Sequence, residues 1–227
     1  MSVIQDPALN SLLDSLHARS DAQVAALNAF DAQRNRSSLS EEEIRKFRSD
    51  KYVALDRDKA EFCYQLCRAI GARQVVEVGT SFGVSTLYLA AAVRDNARST
   101  GSRGTVIGTE YEPEKAKVAR ATFAEAGLAD YIELREGDLR ETLKELSGPI
   151  DFALVDIWIR MARPAIELIH PHLKTGAIVV CDNTAQHRAD YADYLSFIQS
   201  PENGFRTMTL PFQGGLEFSV YCGNRLN

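Results

Sequence analysis

Five short apolar runs alternate with helical stretches through most of the chain, and this alternation constrains the fold more than any other feature. The runs read QVVEVG, TVIGTE, DYIELRE, IDFALVD and AIVVCD. Runs of this composition are typical of strands that are buried on both faces of a sheet. The stretches between them, such as EPEKAKVARATFAEAG and RPAIELIHPHL, have the length and apolar spacing of helices. The alternation therefore predicts an α/β fold with five parallel strands.

The two ends of the chain depart from this alternation. Near the carboxyl end, FRTMTLP and GLEFSVYCG flank FQGG, a turn with two glycines, which predicts an antiparallel hairpin and seven strands in total. Residues 1–50 are polar and helical in pattern, and Ser40 with Glu43 forms a capping box. We expect residues 1–50 to form an N-terminal helical cap and residues 51–227 to form the main domain of a single-domain protein.

The helix that leads into the first strand has clear boundaries in the sequence. Asp56 is placed as its N-cap, and Gly71 lies just past its end. Phe62, Leu66 and Ile70 recur at helical spacing, which predicts a helix between these two residues.

Charge and apolar patterning favour a small-molecule partner. The formal net charge is −5, and no run of five or more basic residues occurs, so we expect neither a nucleic-acid partner nor an anionic membrane partner. The sequence shows no signal-peptide pattern and no apolar stretch of about 18 residues, which favours a cytoplasmic protein. The four cysteines are expected to be reduced thiols in the core. They are Cys63, Cys67, Cys181 and Cys222.

Polar residues follow the ends of all five predicted parallel strands. In an open α/β sheet, ligands bind beyond the carboxyl ends of the strands, so these residues define a candidate binding edge. They are Glu77 to Gly79, Glu110, Asp138, Asp156, and Asp182 with Asn183.

The turn after the first strand, Gly79 to Gly83, indicates which ligand this edge binds. It lacks the middle glycine of the G-x-G-x-x-G dinucleotide motif, and the carboxylate of Glu77 would repel a pyrophosphate but attract a cation. Glu110, at the next strand end, suits two ribose hydroxyls. A nucleoside with an amino group and a sulfonium satisfies both carboxylates, which points to S-adenosylmethionine with its own carboxylate near Ser85. The alternative is that the glycines only make a tight turn and Glu77 is a solvated strand end.

Four segments carry a family resemblance: VVEVGTSFGVSTLYLA, GTEYEP, LVDIW and VVCDN, in that order. They resemble the class I S-adenosylmethionine-dependent O-methyltransferases of the catechol and caffeoyl-CoA type, over about Tyr52 to Cys222. The resemblance implies a Rossmann-like seven-stranded sheet, methyl transfer to a hydroxyl of a small aromatic or polyketide-like acceptor, and a homodimer. The cofactor contacts that it implies are Val53, Leu55, Glu77, Gly79, Ser81, Ser85, Glu110, Tyr111, Gly137, Asp138, Leu139, Asp156 and Trp158.

Asp156, Asp182 and Asn183 form a candidate metal site. They end the fourth and fifth strands, which are expected to be neighbours, and Mg²⁺ prefers oxygen ligands and retains several waters. In the family that the chain resembles, the matching positions hold a divalent cation that binds vicinal hydroxyls. The alternative is that these strand-end carboxylates only make capping and cofactor contacts.

Two positions depart from the family pattern. The family has a lysine three residues after the aspartate that matches Asp156, where this chain has Ile159, and its adenine-side histidine is replaced by Ile157. Arg160 keeps its proton, so it could stabilise an oxyanion without acting as a base. His187 is a candidate base on spacing alone. The acceptor is then either an acidic hydroxyl or one that the metal alone activates.

Three other functions stay open. One is a metal-independent methyltransferase of the same fold. Another is a nicotinamide-dependent oxidoreductase, against which the missing middle glycine argues. A third is a non-catalytic protein that binds S-adenosylmethionine as the partner of another enzyme, which the missing lysine keeps open.

Overall fold

The computed structural model describes residues 2–34 and 40–223. The helices are α1 (Pro7–Asp21), α2 (Val24–Arg34), α3 (Glu41–Arg48), α4 (Arg57–Ala69), α5 (Val84–Thr100), α6 (Pro113–Glu125), α7 (Leu139–Thr142), α8 (Ile159–Ile169) and α9 (Ala192–Gln199). The strands are β1 (Gln74–Val78), β2 (Thr105–Glu110), β3 (Ile132–Glu136), β4 (Ile150–Val155), β5 (Leu173–Asp182), β6 (Phe205–Leu210) and β7 (Leu216–Tyr221). Short 3₁₀ turns lie at Ala129–Tyr131, His170–His172 and Pro201–Asn203.

The seven strands form one sheet in the order β3-β2-β1-β4-β5-β7-β6. Strands β1 to β5 are parallel, whereas β7 runs antiparallel to both β5 and β6. The predicted fold class is therefore confirmed: five parallel strands and a C-terminal antiparallel hairpin. The strand order reverses direction between β1 and β4, which is where open α/β sheets bind ligands.

Both faces of the sheet are buried. Successive residues of a strand point to opposite sides of the sheet, so neighbouring residues belong to different core clusters. Val75 belongs to the cluster that packs under α1, α4 and α5, and its neighbour Val76 belongs to the cluster under α8 and α9. Both are fully buried. The continuous apolar character of the strands follows from this double burial.

Helix α4 has the predicted boundaries. Its N-cap residue is Asp56, and Gly71 follows its end with a φ of +62°. Phe62, Leu66 and Ile70 are partly buried and pack against the core cluster. The fully buried residues are Lys59, Ala60, Cys63, Tyr64 and Cys67.

Two further expectations have different outcomes. The capping box of Ser40 and Glu43 is present at the start of α3. Cys63, Cys67 and Cys181 are buried free thiols as expected, whereas Cys222 is exposed, so the core placement is wrong for that residue. Within residues 2–34 and 40–223, none of the helices is both long enough and apolar enough to cross a membrane.

Candidate functional site

The strand register brings the predicted site residues to one edge of the sheet. Val78 of β1 pairs with Val155 of β4, which in turn pairs with Cys181 of β5. Gly79, Asp156 and Asp182 follow these residues directly, so the structure places them side by side at the carboxyl edge.

The turn between β1 and α5 depends on two glycines. Gly79 has a φ of +98°, and a Cβ atom there would lie 2.0 Å from the carbonyl oxygen of Asp156. Gly83 has a φ of +86°, and a Cβ atom there would lie 2.4 Å from the Phe123 ring. Glycine is required at both positions, because no other residue tolerates the backbone angle and the close approach together. The turn is thereby held against the end of β4.

Glu77 lies beneath this turn and is fully buried. Its carboxylate accepts hydrogen bonds from the hydroxyls of Thr80 at 2.9 Å, Ser85 at 2.6 Å and Thr86. Burial raises its pKa, against the effect of these three donors. These three partners were not predicted from the sequence, although all of them lie in the turn after β1 or at the start of α5. A direct contact between Glu77 and a ligand stays a prediction.

Glu110 ties the turn to the end of β2. Its Oε2 accepts the backbone N–H of Ser81 at 2.7 Å, and its Oε1 accepts the backbone N–H of Glu112 at 2.8 Å. The side chain is nearly buried, with 8% of its residue surface exposed. Each carboxylate oxygen still has a second acceptor position, so the pair can receive two hydroxyl groups.

A small cavity lies between this turn and the segment 52–55. Its volume is about 10 Å³, which is close to the space of one water molecule. The cavity lining contains Tyr52, Val53, Ala54, Leu55, Gly79, Thr80, Ser81, Phe82, Val84, Ser85 and Asp156.

A second cavity, of about 300 Å³, lies between the same segment and helices α1 and α2. Residues 52–55 line both cavities, so one segment separates them. The second cavity contains both apolar and charged groups, among them Val24, Leu27, His17 and the ion pair of Arg57 with Asp14 at 2.8 Å.

The residues predicted to line the adenine lie further along the edge. Tyr111 and Trp158 are 58% and 45% exposed, and the Arg48 guanidinium lies 5.7 Å from the centre of the Trp158 ring system. Leu139 is buried at the start of α7. Asp138 caps that helix, and hydrogen bonds from Arg140 lower its pKa to about 2.

The candidate metal ligands lie close to a lysine. We use "acidic rim" for these three residues together with Asp56, that is, for Asp56, Asp156, Asp182 and Asn183. Lys59 of α4 places its Nζ 2.7 Å from Asp182 Oδ1 and 2.8 Å from Asp56 Oδ2. The second oxygen of Asp182 accepts the Asn183 side-chain N–H at 2.9 Å. Sequence reasoning missed Lys59, although it lies four residues before Cys63 and eight before Cys67, a spacing that places all three on one helix face.

The charges of the acidic rim are only partly balanced. Burial, and then the nearby charges of Asp182 and Glu77, raise the pKa of Asp156. Burial also raises the pKa of Asp182, against the opposing effect of Lys59. Two carboxylates and an amide oxygen are the donors that a hard divalent cation prefers, and a cation would relieve their repulsion. The residues present therefore fit such a cation in chemistry, with Lys59 as a competitor.

The candidate oxyanion-stabilising residue and the candidate base lie at the surface of this edge. Arg160 is exposed in the first turn of α8. The side chain of His187 is 43% exposed, and its Nδ1 lies 3.8 Å from Asp190 Oδ2. Their roles stay predictions.

The fold and the edge define a Rossmann-like methyltransferase architecture, and comparison with known proteins agrees. Residues 76–184 match the methyltransferase domain family. The chain is 35% identical over 132 residues to a catechol O-methyltransferase of Mycobacterium tuberculosis, a match that covers 58% of this chain and 57% of that protein. It is 28% identical over 136 residues to caffeoyl-CoA O-methyltransferase 1 of Eucalyptus globulus, covering 56% of this chain and 51% of that protein. The chain thus spans less than three fifths of the length of these curated relatives.

Solved structures match over nearly the whole chain. The cofactor-bound structure of Rv0187 from MTB superposes with a TM-score of 0.70 at 26% identity, covering 97% of this chain and 92% of that one. An O-methyltransferase from Bacillus cereus in complex with SAH superposes with a TM-score of 0.69 at 20% identity, covering 96% and 92%, which shows the shared fold. The resemblance to class I S-adenosylmethionine-dependent O-methyltransferases of the catechol and caffeoyl-CoA type is therefore confirmed.

Proposed function

We propose that this protein is an S-adenosylmethionine-dependent O-methyltransferase that acts on a hydroxyl of a small aromatic or polyketide-like acceptor. The observation that carries the proposal is the Glu110 carboxylate, which backbone N–H groups of Ser81 and Glu112 orient at the carboxyl edge. Catechol and caffeoyl-CoA O-methyltransferases among the relatives support the reaction type.

In this proposal the cofactor lies along the edge from β1 to β3. Glu110 receives the ribose hydroxyls, while Tyr111, Trp158 and the loop 137–139 surround the adenine. The methionine part enters the small cavity, where Ser81, Ser85, Val53 and Leu55 lie in its lining. Its positive sulfonium is favoured there, because Asp156 lines the cavity and Glu77 lies directly beneath it.

The acceptor would enter from the side of α1 and α2. The second cavity supports this route, because it contains Asp56, which pairs with Lys59 at the acidic rim, and it shares the segment 52–55 with the cofactor cavity. Its volume of about 300 Å³ is at the lower end of pockets that hold small ligands.

A divalent cation such as Mg²⁺ would be held by Asp156, Asp182 and Asn183. When bound, such a cation supplies positive charge that favours the deprotonated form of a hydroxyl. The protein's own groups would do the rest: Arg160 stabilises negative charge on the acceptor oxygen, and His187 receives the proton. A metal-independent reaction with an acidic hydroxyl remains the alternative. The homodimer, the cytoplasmic location and the absence of nucleic-acid and membrane partners stay predictions from the sequence.

Calorimetry with S-adenosylhomocysteine tests the cofactor site. The wild type is expected to bind, and Glu110→Ala is expected to lose most of the affinity. Glu136→Ala is the matched control, since Glu136 pairs in register with Glu110 at the same edge but forms an ion pair with Arg120 instead. No binding by the wild type, or undiminished binding by Glu110→Ala, would remove the assignment.

Methyl transfer is tested by mass spectrometry of cell extracts supplied with the purified protein and labelled cofactor. A product heavier by one CH₂ unit is expected. Cofactor binding without any methylated product would instead support the non-catalytic alternative.

A further inference from the structure

We propose that the Lys59 ammonium group competes with a divalent cation for the Asp182 carboxylate at the acidic rim. The inference rests on the proposed function, because it concerns the cation site of that reaction. It makes Lys59 a positioning residue that sets how tightly the site binds metal.

The burial of Lys59 is the first observation. Its side chain is 1% exposed and is among the largest fully buried side chains of residues 2–34 and 40–223. A buried ammonium group is costly unless it is paired and hydrogen-bonded. Asp56 and Asp182 supply that pairing from two different elements, the start of α4 and the end of β5. The ammonium is therefore held at the rim by the packing of α4 on the sheet.

The engagement of Asp182 is the second observation. Its residue surface is only 4% exposed, its Oδ1 faces Lys59 at 2.7 Å, and its Oδ2 accepts the Asn183 amide N–H at 2.9 Å. A cation that binds Asp182 must therefore share an oxygen with the ammonium or displace the amide of Asn183. Both oxygens of the Asp182 carboxylate are thus engaged in this arrangement.

The charge balance gives the direction of the effect. A divalent cation at Asp182 would lie within a few ångströms of the Lys59 ammonium, and like charges at that range repel strongly away from bulk water. Removing the ammonium eliminates this repulsion and releases one oxygen of Asp182. The affinity for a divalent cation should then rise.

The test is a titration with Mn²⁺, in which the electron paramagnetic resonance signal of the free ion reports binding. Lys59→Met is expected to bind Mn²⁺ at least about tenfold more tightly than the wild type, which corresponds to about 1.4 kcal/mol. Lys59→Arg keeps the charge and should resemble the wild type. Lys174→Met is the matched control, because Lys174 pairs with Asp151 at the opposite edge of the sheet. Equal or weaker binding by a folded Lys59→Met protein, including no detectable binding, would overturn the inference.

If the Lys59→Met protein does not fold, a second pair of variants tests the same competition. Asp56→Asn leaves the ammonium to Asp182 alone and is expected to weaken Mn²⁺ binding several-fold. Asp58→Asn removes the same formal charge two residues away and should have little effect. Equal Mn²⁺ affinity in these two proteins would contradict the competition.

S-adenosylhomocysteine titrations on the same preparations separate the two proposals. A wild type that fails to bind S-adenosylhomocysteine removes the proposed function. If S-adenosylhomocysteine still binds and Lys59→Met has the same Mn²⁺ affinity as the wild type, only the proposed role of Lys59 is overturned.

Discussion

The ring of Tyr52 stacks on the ring of Phe82, with centroids 4.1 Å apart and planes inclined by 11°. Phe82 belongs to the turn after β1, and Tyr52 belongs to the segment that separates the two cavities. The Lys115 ammonium lies 5.5 Å from the centre of the Phe82 ring. This stack joins segment 52–55 to the turn, so we expect it to limit the rate at which a ligand enters the proposed cofactor cavity.

The first prediction concerns the rate of cofactor binding. Tyr52→Leu removes a stack worth about 0.5–1.5 kcal/mol, so the association rate of S-adenosylhomocysteine should rise by about two- to tenfold. Stopped-flow fluorescence measures it, because Trp158 is the single tryptophan of the chain and lies at this edge. Phe62→Leu, which alters the ring pair of Phe62 with Phe212, should leave the rate unchanged. A rate that Tyr52→Leu does not increase would show that segment 52–55 does not gate entry.

The second prediction concerns the turn glycine. Gly79→Ala places a Cβ atom 2.0 Å from the Asp156 carbonyl oxygen at a φ of +98°, so it should lower the free energy of unfolding by about 3 kcal/mol or more. Gly148→Ala has a φ of +77° with no atom within 4 Å, so its cost should be only about 1–2 kcal/mol. Urea unfolding measures both. Similar costs at the two positions would mean that the close approach at Gly79 contributes little.

The third prediction concerns Asp151 at the amino edge of the sheet. Burial alone would raise its pKa, but the ion pair with Lys174 and the backbone N–H groups of Gln74 and Arg73 hold the pKa below its ordinary value. A carboxyl with a lowered folded pKa stabilises the fold above its unfolded pKa, and the contribution is lost as pH falls through the folded pKa.

Asp151→Asn should therefore cost about 1–3 kcal/mol at neutral pH. The difference from the wild type should shrink as the pH falls below about 4. Chemical unfolding at several pH values measures this, and a cost that does not change with pH would rule out the charge as its source.

The fourth prediction concerns His17, which is buried and places its Nε2 3.0 Å from the Tyr88 hydroxyl. Burial, and then the charge of Arg57, lower its pKa. The unfolded chain therefore takes up the proton first, and stability should fall as the pH drops below about 6.5, by at most about 1.4 kcal/mol per pH unit.

His17→Gln should flatten this slope in melting temperatures measured from pH 8 to pH 5.5. His172→Gln, in the turn after α8, should leave the slope as it is. An unaltered slope in His17→Gln would assign the pH dependence to other groups.

The sequence by itself determined the sheet, the hairpin and the edge that carries the site. These features follow from local patterns: apolar runs must be buried on both faces, and glycines allow backbone angles and approaches that other residues do not. The strand-end positions of Glu110, Asp156 and Asp182 follow directly, because parallel strands end at a common edge.

Only the tertiary structure decided which charged and polar groups meet. The sequence placed Asp56 as a helix cap, and the structure pairs its side chain with Lys59, which also reaches Asp182 far along the chain. The reason is that apolar spacing indicates a helix but leaves its rotation uncertain by about one residue. That rotation decides whether Lys59 faces solvent or the buried rim.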